Sequence, residues 1–373
     1  MAHAYTPGLK VTERTLVRKD RRLPLSGEVL VSVGQKVAGN DVVARTALPG
    51  NVTTLNVAGL LGVPPEDITG MMLKKVGEQI EKGEVIAQSK GFFGLFKSAV
   101  RSPIKGTIES VSEITGQVIL REPPQPVEVT AYIDGEVVEV YPTEGVLVET
   151  IASLVQGIFG IGGETRGELL TVVNSPNDVL TASEIDEKCK DKIIIGGSLC
   201  DFSALEKAKV VGAKGIVVGG IEDETLKKFL GYELGVAITG SEKVGLTLVI
   251  TEGFGRMRMA DHTFRLLSSL NGKIGSMNGA TQIRAGVIRP EVIVPCEDKK
   301  GEIKSSITEG GLAIGMPVRI IRQPYFGLLG KVTALPVDLQ TIETESKVRV
   351  LEVELENGKR ILLPRANVEI IES

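Results

Sequence analysis

V-G-E-Q-I-E-K-G-E-V-I-A (residues 76–87) decides how this chain is read, together with the apolar tip G-F-F-G-L-F-K (91–97) and the phrase S-P-I-K-G-T-I-E-S-V (102–111). Gly77 and Gly83 stand where tight turns need a residue free of a Cβ clash. Val76, Ile80, Val85 and Ile86 supply short strand runs between those turns. The same grammar occurs upstream, where residues 33–44 read V-G-Q-K-V-A-G-N-D-V-V-A and Gly34 lies 43 residues (77 − 34) before Gly77. P-L-S-G-E-V-L-V-S-V (24–33) and D-G-E-V-V-E-V-Y-P-T-E-G-V (134–146) match residues 103–111. A duplicated β unit is the expectation.

The chain is long enough, at 373 residues, for two to four domains. Its 42% hydrophobic content, with no Trp, and its 44 glycines describe a Val/Ile/Gly-rich globular protein with many turns. A net charge of −4 sets up no global field for nucleic acid or anionic lipid. Cys189, Cys200 and Cys296 are scattered and lack C-x-x-C spacing, which argues against a disulfide framework and a zinc site and suits a reducing compartment. The start M-A-H-A-Y-T-P has no apolar signal character, and no run approaches about 18 apolar residues. The expectation is a soluble cytoplasmic protein that does not engage a membrane.

Residues 76–87 with 102–108 resemble the barrel-sandwich hybrid of biotinyl and lipoyl carrier domains, and more closely its unmodified versions in RnfC-type subunits and large RNA polymerase subunits. The carriers present their modified lysine on a tight hairpin some seven residues before an A-P-x-x-G phrase. Here that position, counted back from Ser102-Pro103, is Leu95, and the nearest lysine, Lys97, is out of register. The resemblance therefore implies the fold without a prosthetic group, and no cofactor is expected. Phe92, Phe93 and Phe96, flanked by Lys90, Lys97 and Arg101, form either a partner-binding tip or a plug for one end of the barrel.

Around this region the chain divides into a basic arm (1–23), the internally repeated β region (24–178), an α/β domain (179–309) and a C-terminal unit (310–373). The arm, rich in Lys and Arg, reads as a solvated edge strand protected by charge or as a docking arm. Residues 60–72 suggest a Pro-started short helix or a crossover, R-E-P-P-Q-P (121–126) a stiff connection, and the glycines of 157–167 a bulged strand. From about 180, strands alternate with helices, which implies a parallel or mixed α/β sheet loosely similar to swivelling domains. Thr181 and Ser203 are candidate helix caps, Gly212 and Gly231 candidate stops, and 236–239 a candidate strand. Ligands in such sheets bind beyond the C-terminal strand ends. T-E-G-F-G-R-M-R-M (251–259) falls there, making Arg256 and Arg258 candidates for an anion, an RNA backbone or an acidic partner.

G-M-P-V-R-I-I-R-Q-P-Y-F-G-L-L-G-K-V (315–332), with the closing L-P-R-A-N-V-E-I-I (363–371), resembles the KOW small barrel of NusG-type factors and some ribosomal proteins. Asn357-Gly358 reads as a type I′ hairpin turn. The resemblance implicates Arg322, Tyr325, Phe326 and Lys331 in RNA or protein contact. The acidic run Glu352, Glu354 and Glu356 favours a protein partner.

No catalytic signature is legible. His3 and His262 are the only histidines, and Cys200, near a strand end, reads more readily as a buried thiol than as a nucleophile. The expectation is a mainly β, multidomain scaffold or adaptor without enzymatic activity, homo-oligomeric and engaging protein partners. A transcription- or translation-associated factor that binds RNA polymerase, the ribosome or RNA is the second reading. An accessory subunit of a redox or cofactor-dependent complex is the third.

Overall fold

A computed structural model describes residues 9–89, 98–233, 239–240, 242, 244–282, 288–296, 312–320, 324–325, 328–336, 340–341, 347–355 and 357–372. The fold is mainly β, built from several sheets.

The duplication is visible bond by bond. Gly34 N donates to Val137 O and Gly77 N to Ile108 O, each over 2.7 Å, and Val137 and Ile108 return bonds to Gln35 and Glu78. Gly34 and Gly77 have φ of 82° and 87°, a conformation only glycine adopts cheaply, so both turns keep it. Strand Lys36–Val37 pairs with Gly135–Tyr141 through Val37↔Gly135, as Gln79–Ile80 pairs with Gly106–Val111 through Ile80↔Gly106. Even an irregularity repeats: the Val42–Leu48/Gln125–Thr130 ladder and the Val85–Gln88/Ala99–Arg101 ladder slip at the same place. The offset is 43 on the first arm of the unit and 29 (135 − 106) on the second. Residues 24–33 do not match 103–111 in the fold. Val29 pairs with Ala44 as Met72 pairs with Ala87, so that segment corresponds to the stretch before Val76, not to 103–111.

One copy is inserted into the other. The outer copy closes over Val43, Val137, Val146 and Val148, and the inner one over Ile80, Ile86, Ile108 and Leu120, all fully buried. The inner copy leaves the outer one between its hairpin strands Val42–Leu48 and Gln125–Thr130. At this neck Glu122 N donates to Asn51 O (2.9 Å), Asn51 Nδ2 to Glu122 Oε2 (2.9 Å) and Arg121 Nη1 to Gly50 O (3.0 Å). Pro123 and Pro124 stiffen the return strand, as 121–126 suggested.

Segment 9–22 is neither a loose arm nor an edge. Strand Leu9–Arg22 runs antiparallel to Gly145–Gln156 over ten paired positions and parallel to Val368–Glu372 at its start. Its charges have partners: Arg18 meets Glu149 at 2.7 Å, Lys19 meets Glu291 at 2.5 Å, and Arg21 binds both oxygens of Glu164 at 2.6 and 2.7 Å. Val11 and Val17, facing inward, supply the apolar side. Basic residues read as solvated are thus one half of a salt-bridge set whose acidic half lies more than a hundred residues away.

In the α/β unit, Glu164–Thr171, Lys192–Ile195, Gly215–Ile221 and Thr247–Phe254 run parallel side by side. Phe159–Ile161 and Ile274–Asn278 flank them antiparallel. Glu164–Thr171, grouped by sequence with the β region, therefore belongs to this sheet, and the glycines at 162–163 end one strand and begin another instead of bulging one. The central strands are apolar on both faces, as sheets covered on both sides require. Ile193, Ile194 and Ile195 are fully buried, each side chain contributing about 1.5–3 kcal/mol. Helix Phe202–Val211 is capped by Asp201, not Ser203, and ends at Gly212. Helix Asp223–Leu230 ends at Gly231. Thr181 and Glu184 form the expected capping box, on a 3₁₀ turn. Segment 236–238 lies outside the described residues. The sheet continues through Glu291–Pro295 into the outer copy.

The C-terminal unit orders Val368–Glu372, Pro317–Ile320, Leu329–Ala334, Val350–Leu355 and Arg360–Pro364 antiparallel around Val318, Ile320, Val332, Leu351 and Val353. In its last hairpin Gly358 N donates to Leu355 O and Leu355 N to Lys359 O, both at 2.8 Å, so the turn is not centred on Asn357–Gly358 as a two-residue type I′ turn would be, and Gly358 takes a positive φ of 78°.

Candidate functional site

At the C-terminal ends of the parallel strands the sequence places Arg256 and Arg258, and the structure puts them there. Their loop is laid across the neighbouring strand ends: Gly255 N donates to Ile221 O (2.8 Å), Met257 N to Ser198 O (3.0 Å) and Met259 N to Pro176 O (3.3 Å). This is why Gly219 and Gly220 follow the G-I-V-V run. A Cβ would stand 2.2 Å from Met257 O at the first and 2.1 Å from Gly255 O at the second. Main chain therefore fills the crevice where a doubly wound sheet would seat a ligand.

What is left is a shallow polar cleft of about 340 Å³, lined by Asn174, Asn177, Asp178, Glu184 and Arg256. Arg256 is exposed and reaches Asn177 O at 3.4 Å. Asp178 Oδ2 accepts from Asn174 N (3.0 Å) and Ser175 N (2.9 Å). The Ser183 hydroxyl, then the Thr181 N–H, hold the Glu184 carboxyl below its ordinary range. Arg258 pairs with Asp261 at 2.5 Å. An incoming phosphate would meet Asp178 and Glu184 as well as Arg256. The mixed-sign cleft suits a polar protein contact better than a nucleic-acid backbone. A second hollow, about 370 Å³, lies at the opposite strand ends, between Glu164, Lys214 and Glu242.

Glu252, four residues before Arg256, is buried at the end of its strand. Its Oε1 accepts from Ala260 N (3.0 Å), closing the loop, and its Oε2 accepts from Arg319 of the C-terminal unit. Both side chains are at most 4% exposed, and among the described residues Arg319 Nε and Nη1 find no hydrogen-bond acceptor. Sequence reading missed this pair. Its signal is a lone charge inside each of two apolar runs, L-V-I-T-E-G-F and P-V-R-I-I, since such a charge is buried only with a counter-charge.

A second network joins the outer copy to the α/β sheet. Tyr132 is buried at φ 67° with its hydroxyl 3.3 Å from Glu291, which also takes the Lys19 bond. Burial, then the Glu291 and Glu164 charges, push the Tyr132 hydroxyl well above its ordinary range, so it stays a neutral donor. Ser276 Oγ donates to Tyr132 O. Burial alone would raise the Asp134 carboxyl, but Arg166 at 2.6 Å and the Gly39 N–H at 2.7 Å outweigh it and bring it below its usual value. Arg166 passes so close to Gly39 that an added Cβ would lie 2.3 Å from its Nη1.

Elsewhere the expected residues are dispersed. Tyr325 is half-buried, and Lys359 Nζ sits 5.3 Å from its ring centre. Lys331 is exposed opposite Glu354 on the adjoining strand. Arg360 bonds Glu354 at 2.9 Å and lies 3.8 Å from Glu352, so these acids are partly neutralised. Phe92, Phe93, Phe96, Arg322 and Phe326 lie outside the described residues. Cys200 is fully buried and burial pushes its thiol far up, which removes it as a nucleophile. His262 is half-buried in the first turn of helix Asp261–Ser269. Among the described residues no group of His, Cys, Asp and Glu could hold a metal ion, and no helix is long and apolar enough to cross a membrane.

No protein-family model matches the chain, and comparison with curated proteins finds no match.

Proposed function

We propose that this chain is a non-enzymatic cytoplasmic scaffold that holds binding modules in fixed relation and presents them to protein partners as a homo-oligomer. The observation that carries the reading is the insertion of one β unit into the hairpin of its own duplicate, through a bonded neck. Such a construction commits chain length to rigid spacing and surface. The Tyr132 network and the Glu252–Arg319 pair, which join the remaining units, support it.

In this reading the two copies are barrel-sandwich hybrids that carry no prosthetic group, the α/β unit is of swivelling type, and the C-terminal unit is a KOW-like barrel. The hairpin in which carriers display lysine is occupied in the outer copy by the inner copy. In the inner copy the sequence between Val85–Gln88 and Ala99–Arg101 includes Phe92, Phe93 and Phe96, which this reading takes as partner contacts. Arg256 and Arg258 with the C-terminal Arg322, Tyr325, Phe326 and Lys331 form further contact points. Affinity capture from the source cells, with mass-spectrometric identification, tests this. The same partners should recur with wild type and be lost with Phe92→Ser/Phe93→Ser/Phe96→Ser or Arg322→Ala/Tyr325→Ala. Recovery unchanged by both variants would refute it.

The Lys359–Tyr325 stack favours a second reading, a transcription- or translation-associated factor, because a cation beside an aromatic ring is a nucleobase contact in waiting. RNA retained at low salt and lost with Tyr325→Ala would support it; absence of RNA or ribosomal material would exclude it.

A further inference from the structure

The duplicated unit contains one strand twice, once charged and once bare. Val52–Asn56 of the inner copy pairs with Gln117–Arg121 as the end of Leu9–Arg22 pairs with Gly145–Gln156 in the outer copy. Leu55 stands opposite Val118 and Thr53 opposite Leu120, where Arg21 stands opposite Val146 and Lys19 opposite Val148; the four facing residues are fully buried. On this alignment V-T-T-L-N (52–56) corresponds to R-K-D-R-R (18–22). Each charged position of the outer copy is uncharged in the inner one. Charges along a strand deter another strand from pairing beside it, and the inner copy has none of that protection.

Val52–Asn56 ends a four-stranded sheet, and among the described residues no strand pairs with its outer side. Antiparallel ladders bond alternate residues. Glu122 N donates to Asn51 O, so by alternation Thr53 and Leu55 turn their main chain toward Gln117–Arg121. Val52, Thr54 and Asn56 therefore aim their N–H and C=O groups the other way, at exposed positions. The ligand for such a row is an extended strand.

We propose that this edge pairs antiparallel with Val52–Asn56 of a second copy of the chain. The row is symmetric about Thr54. A two-fold axis there sets Thr54 against Thr54 and Val52 against Asn56, gives every outward N–H a C=O, and joins four strands from each copy into one sheet. A Thr–Thr cross-strand pair is favourable. Charge permits the match: the strand carries none, and Arg121, the one charged residue of the next strand, is held by both oxygens of Glu109 at 3.0 and 2.7 Å. The outer copy forbids it. The same two-fold applied to R-K-D-R-R would set Arg18 against Arg22, Lys19 against Arg21 and Asp20 against Asp20, like charges at every pair. One strand is thus patterned against meeting itself, and its duplicate is free to do so.

The inference deepens the homo-oligomeric scaffold reading, on which it rests, and is tested by sedimentation velocity of the full chain over a concentration series. Wild type should dimerise. Thr54→Lys and Thr54→Glu should each weaken the dimer by about tenfold or more, because like charges then face each other on the axis. An equimolar mixture of the two variants should recover it, the introduced ammonium facing the introduced carboxylate. Thr54→Pro removes an outward N–H and no bond of the existing ladder, and should weaken the dimer to a similar extent. Thr54 is exposed, so melting curves of the Lys and Glu variants and wild type should coincide in dilute protein. A monomeric wild type, a dimer indifferent to these changes, or a mixture no better associated than either variant alone would overturn the proposal. A monomer that captures partners and loses them with Thr54→Pro would overturn it too, since the edge then takes another chain's strand. Partner capture by a monomeric protein would defeat this inference alone, and a dimer that responds as stated but captures nothing would defeat the adaptor function alone.

Discussion

Arg319 of the C-terminal unit donates to Glu252 of the α/β sheet where neither side chain reaches solvent. A buried pair is costly to break from one side, because the survivor is an uncompensated charge. Arg319→Met should therefore destabilise the chain by about 3–5 kcal/mol. Glu252→Met/Arg319→Met should lose less than the single change, since the stranded carboxylate is gone. Urea unfolding of both variants checks the order.

Gly39 and Lys82 are equivalent positions with opposite surroundings. Arg166 crowds Gly39, while Lys82 is exposed. Gly39→Ala should cost about 1–3 kcal/mol through the displaced Arg166–Asp134 bond. Lys82→Ala should stay within about 0.5 kcal/mol of wild type. Thermal melting of the pair measures both.

Gly34 and Gly77 should respond alike. Alanine at either must take a left-handed φ, at about 1–2 kcal/mol. The two costs should add in the double variant, because the turns lie in separate cores. Strong coupling between them would speak against two independently packed copies.

Asp134 gives the seam an acid sensitivity. Its carboxyl is depressed in the folded protein, so its stabilisation is present above the ordinary Asp range and is lost as pH falls through the lower folded value. Asp134→Asn should be less stable than wild type at neutral pH, and the gap should narrow as pH drops below about 4. Denaturant midpoints measured from neutral pH down into the acid range should show that convergence.

Thiol chemistry should separate the cysteines. Cys189 and Cys200 are buried with raised thiol pKa values, while Cys296 is partly exposed. Brief iodoacetamide treatment of native protein, read by peptide mass spectrometry, should label Cys296 first.

Local rules made much of this fold legible. The V-G-x-x-V turns, the Asp223–Leu230 helix with its glycine stop, and the K-I-I-I strand depend on residues within a few positions of one another. What escaped was set by partners distant in sequence. The basic residues of Leu9–Arg22 look solvated until Glu149, Glu164 and Glu291 face them, and Gly39 looks like any loop glycine until Arg166 arrives. The sequence puts Arg256 at the strand ends, yet the acids opposite it, Asp178 and Glu184, come from another segment and change what the cleft can bind. Insertion of one copy into the other is hidden in a linear comparison, because 43 and 29 are two offsets of a nested arrangement.

The most direct test of a rigid scaffold is the distance between the inner copy and the α/β unit. Spin labels at Ile114→Cys and Val210→Cys, 91% and 85% exposed in wild type, can be introduced in a Cys296→Ser chain and measured by pulsed electron resonance. The account predicts one narrow distance population within each chain that does not change with salt. A broad or salt-dependent distribution would contradict it.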